Sequence, residues 1–413
     1  MKIWSKGTGI NHNKVQKSLK TDYRYYNFFI YYISLMPGYE IIGDEEKKAA
    51  LKLFDEGGIL FHRSFENIRK HFYVREFNDK CETYFNSTHC SAVSSGTAAI
   101  KCALKAAGVK SGDEVITQAF NFIACVEAII DVGAKPIICN VDRNLHLDIN
   151  DLKKRLTSKT KAILAVHMLG LGGPINEIKD FCEKNNLILL EDACEAIGGK
   201  VGSNFYGSIG DIGIFSLDFA KMITCGEGGI TLTNNDDYGT YIKQYIDHGH
   251  ENNPNLERGH DNRVMPGFNY RMTELQATIA SAQLDKLEFL VNENKKRYMI
   301  LKNVLEPHVH VRQECKSHSG SYDTFIMTIE DETKKSRIIN KLQELNFGTK
   351  ILPDAMEWHC SAYWGHALDE KEVEFSSKTL KLLEASVALP IFVKRTVEEY
   401  INLSKSILNI IID

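Results

Sequence analysis

A single lysine, Lys221, stands in "GDIGIFSLDFAKMITCGEGGITLT" (210–233), between a β-like apolar run and a glycine-rich turn. An amine in such surroundings loses hydration unless a partner compensates it, so the position calls for a chemical reason. Two further stretches supply partners. In "LLEDACEAIGG", Glu191, Asp192 and Glu195 follow an apolar strand, and a carboxylate there wants a cation. In "SSGTAAI" (94–100), a small-residue turn leads from strand to helix, so Gly96, Thr97 and Ala98 can turn backbone N–H groups toward a phosphate, with hydroxyls from Ser95 and Thr97 assisting. Taken singly, the first carboxylate motif reads equally as a helix N-cap and the turn as a plain capped turn. Together and in this order, they are the groups that pyridoxal phosphate needs. A lysine forms the Schiff base, an aspartate keeps the pyridine nitrogen protonated, and a helix terminus holds the phosphate.

The elements that must position these groups are legible around them. "HCSAVSSGTAAIKCALKAAG" reads strand, turn, helix, and "DEVITQAFNFIACVEAIIDVG" repeats it. "KPIICNVD", "TKAILAVHMLG" and "LILLEDACEAIG" give three more β-like runs, with the helical "PINEIKDFCEKNN" between two of them. Such alternation predicts a mostly parallel sheet covered on both faces. From "TELQATIASAQLDKLEFLVNENKKRYMILKNVL", read as one long amphipathic helix bridging two lobes, the pattern changes. "YDTFIMTIE", "KKSRIINKLQELNF" and "TVEEYINLSKSILNIII" then predict a small α+β domain. The expected division is a poorly ordered extension over 1–35, a large domain over 36–285 and a small one over 286–413. "MPGYEIIGDEEKKAALKLFDEGG" opens a capped amphipathic helix, which makes Met36 a candidate natural start.

A chain of 413 residues exceeds one ordinary core, consistent with two lobes. With 43% hydrophobic and 25% charged residues, its composition is that of a globular protein. A net charge of -4 without a long basic tract argues against nucleic acid as a main partner. The apolar stretch near residues 28–36 is about half of what a membrane helix needs, so no membrane partner is expected. Ten scattered cysteines without a C-x-x-C pair fit a reducing, cytoplasmic compartment.

The chain resembles the pyridoxal-phosphate-dependent sugar aminotransferases of the DegT/StrS type, within fold type I. The resemblance runs from about Met36 to the C-terminus on "SSGTAAI", "QAFNFIACVEAI", "VHMLG", "EDACEAIGG", "GDIGIFSLDFAKMITCGEGG" and "MPGFNYRMTELQATIASAQLDKL". It implies an α/β fold with a mostly parallel seven-stranded sheet between helices and a smaller α+β C-terminal domain. It also implies that Lys221 carries the cofactor and serves as base, and that Asp192 pairs with the pyridine nitrogen. Gly96 and Thr97, with the Ser216 hydroxyl, would hold the phosphate, and Phe122 would stack on the ring. Asn269 would reach the phosphate of the neighbouring subunit, making a homodimer the working unit. His167 would be a substrate- or cofactor-side residue, although a core histidine fits its context nearly as well. In place of the family's usual glutamine, which bonds the cofactor's 3-oxygen, this chain has Glu195, and a carboxylate facing a phenolate repels it unless one of them holds a proton.

A related dehydrating branch has histidine at the lysine position, which Lys221 sets aside. "MPGYE", "KMITCGEGG", "DHGH" and "EWHCSAYW" resemble the branch that installs an amine at carbon 8 of a 3-deoxy-octulosonate, a step in cell-surface polysaccharide synthesis. For its carboxylate, Arg63, Arg69 or Arg75 would be the guanidinium, with His248 nearby; each arginine reads equally as an ion-pair residue. Trp358, Tyr363 and Trp364 are sugar-stacking or core aromatics. The competing acceptor is a nucleotide-linked 3- or 4-ketosugar, with L-glutamate as donor in either case and a ping-pong course. From another class comes a cofactor-binding regulator without turnover.

Overall fold

The computed structural model describes residues 37–253 and 255–413; the expected extension and Met36 lie outside the described residues. Nine short strands of the first half are β1 (His89–Val93), β2 (Glu114–Gln118), β3 (Lys135–Cys139), β4 (Thr160–Val166), β5 (Ile188–Asp192), β6 (Lys200–Val201), β7 (Asn204–Phe205), β8 (Ile212–Ser216) and β9 (Gly229–Thr233). Seven of them form one sheet in the order β1-β9-β8-β5-β4-β2-β3. Only β9 runs against its neighbours, pairing antiparallel with β1 and β8. The strands from β8 to β3 are parallel. This is the sheet the strand–helix alternation predicts.

Burial on both faces explains why the strands read as apolar runs rather than alternating ones. One face packs Phe77, Phe85, Phe215 and Leu287, while the other packs Leu104, Phe120, Ile129 and Ile214, all fully buried. The helix Gly96–Ala106 follows β1, capped by Ser95, whose hydroxyl accepts from Ala98 N–H at 3.1 Å. The helix Asp44–Asp55 starts where Glu46 reaches back to Gly43 N–H at 2.7 Å, the capping contact the sequence suggests.

The long bridging helix is in fact two, Glu274–Leu284 and Leu287–Leu305, separated by a turn at Asp285 and Lys286. Side-chain ties hold that turn: Lys286 Nζ bonds the Ile41 carbonyl at 2.8 Å, and the Gln283 amide bonds Glu46 at 2.7 Å. Periodicity continues through the break because Leu284 and Leu287 are both buried.

Beyond it lie β10 (His310–Val311), β11 (His318–Ser319), β12 (Thr324–Thr328) and β13 (Ser386–Pro390). A three-stranded sheet β10-β12-β13 packs with the helices Leu287–Leu305, Glu332–Glu344 and Val397–Ile412 around Tyr298, Phe325, Leu389 and Tyr400. The β11 strand instead joins β6 and β7 of the first half. Residues 356–384 also pack back onto the larger sheet. Trp364 is fully buried against Ala119, Ile123 and Ile138, its indole N–H donating to the Glu357 carbonyl at 2.9 Å. Glu372 accepts from Ile138 N–H at 2.8 Å. No helix among the described residues is long and apolar enough to cross a membrane.

Candidate active site

Val166, Asp192 and Ser216 are the last residues of the neighbouring parallel strands β4, β5 and β8, and all three line one cavity of about 800 Å³. Carboxyl ends of parallel strands are where open α/β sheets hold ligands. The N-terminus of the helix Gly96–Ala106 opens into the same space through Ser95, Gly96 and Thr97. First-turn N–H groups have no acceptor within the helix, so those of Gly96 and Thr97 are suited to an anion. A side chain at Gly96 would bring its Cβ to 2.8 Å from Ser216 Cβ and 3.1 Å from Ser216 Oγ. Only glycine lets the helix end come this close to β8.

Lys221 sits in the loop between β8 and β9. The loop is closed at its base by Leu217 N–H bonding the Gly228 carbonyl at 2.9 Å, and by Thr224 Oγ1 bonding the Leu217 carbonyl at 3.0 Å. Gly38 packs against it so closely that a Cβ there would lie 2.4 Å from the Lys221 carbonyl oxygen. The lysine is thereby held into the cavity, its side chain 17% exposed. Its ammonium donates to Glu195 Oε1, while Glu195 Oε2 is buried without a hydrogen-bond partner.

Burial opposes the charge on Glu195, but the Lys221 ammonium, the charge of Lys350 and the direct hydrogen bond outweigh it, holding the carboxyl at about 2. Burial likewise disfavours the Lys221 ammonium, and Glu195 more than offsets this, raising the amine above its usual 10.5. In the cofactor-free protein the carboxylate's contribution to stability is complete above about pH 4.5 and is lost as pH falls through about 2. The lysine's is complete below about 10.5 and is lost as pH rises through its still higher folded value.

Asp192 is buried, its Oδ1 accepting from Cys194 N–H at 3.0 Å and its Oδ2 from Cys125 Sγ at 3.2 Å. Phe122 lines the cavity, 41% exposed, and stacks on Trp358 with centroids 6.4 Å apart and planes 19° apart. Seven of the eight expected cofactor residues (Gly96, Thr97, Phe122, Asp192, Glu195, Ser216 and Lys221) thus surround one space. The eighth, Asn269, is exposed elsewhere on the surface, bridged to Asp247.

The substrate expectations need correction within this chain. His167 does not line the cavity: its ring stacks on Tyr206 at 4.5 Å and its Nε2 lies 3.1 Å from Glu191. Glu191 in turn anchors the turn before β8 through Gly207 N–H at 3.0 Å and Ile209 N–H at 2.6 Å. Arg69 is consumed by Glu274 at 2.6 Å and the carbonyls of Phe61 and His71. Arg63 is tied to Asn252, Asp247 and Asp261, and Arg75 pairs at the surface with Glu66. Exposed His248 is likewise absent from the lining, and so is Tyr363; Trp364 is core.

The second half of the chain contributes what motif reading missed. Asn346, Thr349, Lys350, Asp354 and His359 line the cavity opposite Lys221. Lys350 Nζ is held by Asp323 at 2.6 Å. These residues carry no local signature, since contacts distant in sequence place them.

The sequence matches the DegT/DnrJ/EryC1/StrS aminotransferase family over residues 64–407. The chain belongs to that family. It is 31% identical to the GDP-perosamine synthase of Vibrio cholerae over 282 residues, 66% of this chain and 74% of that one. An aminotransferase from Psychrobacter cryohalolentis superposes with a TM-score of 0.79 at 21% identity, covering 90% of this chain and 98% of the other. Helicobacter pylori PseC, an aminotransferase in pseudoaminic acid biosynthesis, gives 0.75 at 20% identity, covering 91% and 98%. At that identity, the structural likeness establishes the fold.

Pyridoxal phosphate is the cofactor of this enzyme family, and the residues present fit it. A helix end that only glycine can form, a buried aspartate, a part-exposed aromatic ring and an amine in a cavity are the donor set it requires. Gly96→Ala should weaken cofactor binding about tenfold, or about 1.4 kcal/mol, in a fluorescence titration. Arg69→Ala should destabilise the fold by about 3–5 kcal/mol because it leaves Glu274 buried without its cation. Thermal denaturation checks this; a residue reserved for substrate would leave the melting temperature unchanged.

Proposed function

We propose that this aminotransferase moves an amino group from L-glutamate to a ketosugar in a ping-pong reaction at Lys221. The observation that carries the reading is Lys221 itself, a constrained amine facing Asp192, Ser216 and the Gly96 helix end across one cavity. Bound pyridoxal phosphate supplies an electron sink, which lets the donor's α-proton leave and the amino group pass on.

The chain's own residues do the rest. The first-turn N–H groups of Gly96 and Thr97 and the Ser216 hydroxyl hold the phosphate. The Asp192 carboxylate would keep a proton on the pyridine nitrogen. The part-exposed ring of Phe122 fixes the plane of the cofactor's ring. Lys221 Nζ, uncharged once the donor's amine has displaced it, would accept the donor's α-proton and hold it as an ammonium, the work of a general base that becomes a general acid. Asn269, exposed on its own chain, would serve the phosphate of a neighbouring copy in a homodimer.

Two acceptors have support. The curated relative's name, GDP-perosamine synthase, favours a nucleotide-linked ketosugar. The octulosonate details in the sequence favour an 8-keto-3-deoxy-octulosonate. Arg63 and Arg69 are engaged elsewhere, and Lys350, which lines the cavity, is held by Asp323 at 2.6 Å, so a carboxylate there would have to share it with Asp323.

L-glutamate should abolish the visible band of the bound cofactor in the wild-type protein, and a competent ketosugar should restore it. Lys221→Ala should lower turnover by about 10²–10⁴-fold or more. A band unmoved by glutamate would contradict this donor and favour a regulator without turnover. Stopped-flow absorbance with a panel of both ketosugar classes makes the measurement.

A further inference from the structure

Glu195 is the residue of the expected cofactor set that touches Lys221. A glutamine there offers a hydrogen bond and no charge. A glutamate adds a full negative charge in direct contact with the reactive nitrogen, at a position whose side chain is only 9% exposed. One carboxylate oxygen receives the ammonium, and the other is buried without a protein partner in the wall of the cavity.

The surrounding charges leave this pairing in place. Around Glu195 stand Lys221, Lys350 and His359. Lys350 is already held by Asp323 at 2.6 Å, and the His359 ring is bonded through Nδ1 to the Ala355 carbonyl at 2.8 Å. Burial and the two neighbouring lysines keep that imidazole below its usual range, hence neutral at pH 7. Around Lys221 stand Glu195, Cys194, Asp218 and Cys125. Both thiols are pushed well up by burial and stay protonated, so they add no charge. The Asp218 carboxylate is turned to its own loop, where Oδ1 accepts from Ala220 N–H at 3.0 Å. Glu195 is therefore the anion in hydrogen-bond contact with Lys221 Nζ.

We propose that Glu195 is the counter-charge of the Lys221 nitrogen, pairing with the free ammonium, exchanging a proton with it, and holding the nitrogen cationic after it joins the cofactor's aldehyde carbon. The charges balance without any further group. The ammonium passes one proton to Glu195, and the resulting amine attacks the aldehyde carbon. The carbonyl oxygen then leaves as water, and Glu195 returns its proton to the nitrogen. One C=O bond is broken and one C=N bond formed, nothing is oxidised or reduced, and the nitrogen ends as it began, cationic beside a carboxylate. A C=N carbon is attacked by an incoming amine only while its nitrogen is cationic, so Glu195 extends the reactive range toward alkaline pH. The inference rests on the cofactor role proposed for Lys221.

The test is a spectrophotometric pH titration of the cofactor-loaded protein without any substrate. It compares the wild type with Glu195→Gln and with Glu195→Asp, which keeps the charge but shortens its reach. The visible absorbance of the cationic link should persist in the wild type to a pH about one unit or more above the midpoint of Glu195→Gln, a tenfold difference in proton affinity. Glu195→Asp should fall between them, and it carries the comparison alone if the glutamine variant does not fold. Coincident midpoints for the wild type and the folded variants overturn the inference, since they mean that Glu195 is protonated and acts as the glutamine would. A protein that develops no visible band at any pH, even after soaking with pyridoxal phosphate, overturns the role of Lys221 itself, which is a separate failure.

Discussion

A primary amine placed in a protein wall must be answered by an anion, and much of this site follows from that requirement. Lys221 lies in a cavity formed where three parallel strands end, and the Glu195 carboxylate compensates its lost hydration. The compensation needs short contacts, so the loop carrying Lys221 is closed at its base and pressed by Gly38 on one side. A looser loop would let water in and weaken the pair through screening.

The same economy of space governs the anion end of the site. The helix Gly96–Ala106 comes close enough to β8 for its first N–H groups and the Ser216 hydroxyl to serve one phosphate, and the absent side chain at Gly96 is what permits it. The other wall of the cavity comes from the second half of the chain, which has a core of its own around Tyr298, Phe325 and Tyr400. That half brings Lys350 and His359 to the cavity.

What could be read from the sequence follows the range of the interactions involved. The strands and the Lys221, Asp192 and Gly96 motifs are legible because each is a local pattern at a strand end, where chain direction alone fixes what faces the cavity. The break at Asp285 was hidden because buried Leu284 and Leu287 keep the helical period across it. Arg69 and His167 misled for the opposite reason. Their residue types suit a substrate, but Glu274 and Glu191, distant in sequence, had already engaged them. Lys350 and Asp323 were invisible because their meeting depends on how two segments of the second lobe fold together.

The central claim is that the cofactor is joined to Lys221. Reduction of the loaded protein with sodium borohydride, followed by proteolysis and peptide mass spectrometry, tests it most directly. The account predicts a phosphopyridoxyl group on the peptide that carries Lys221. A label on Lys350 or another lysine, with Lys221 unmodified, would contradict it.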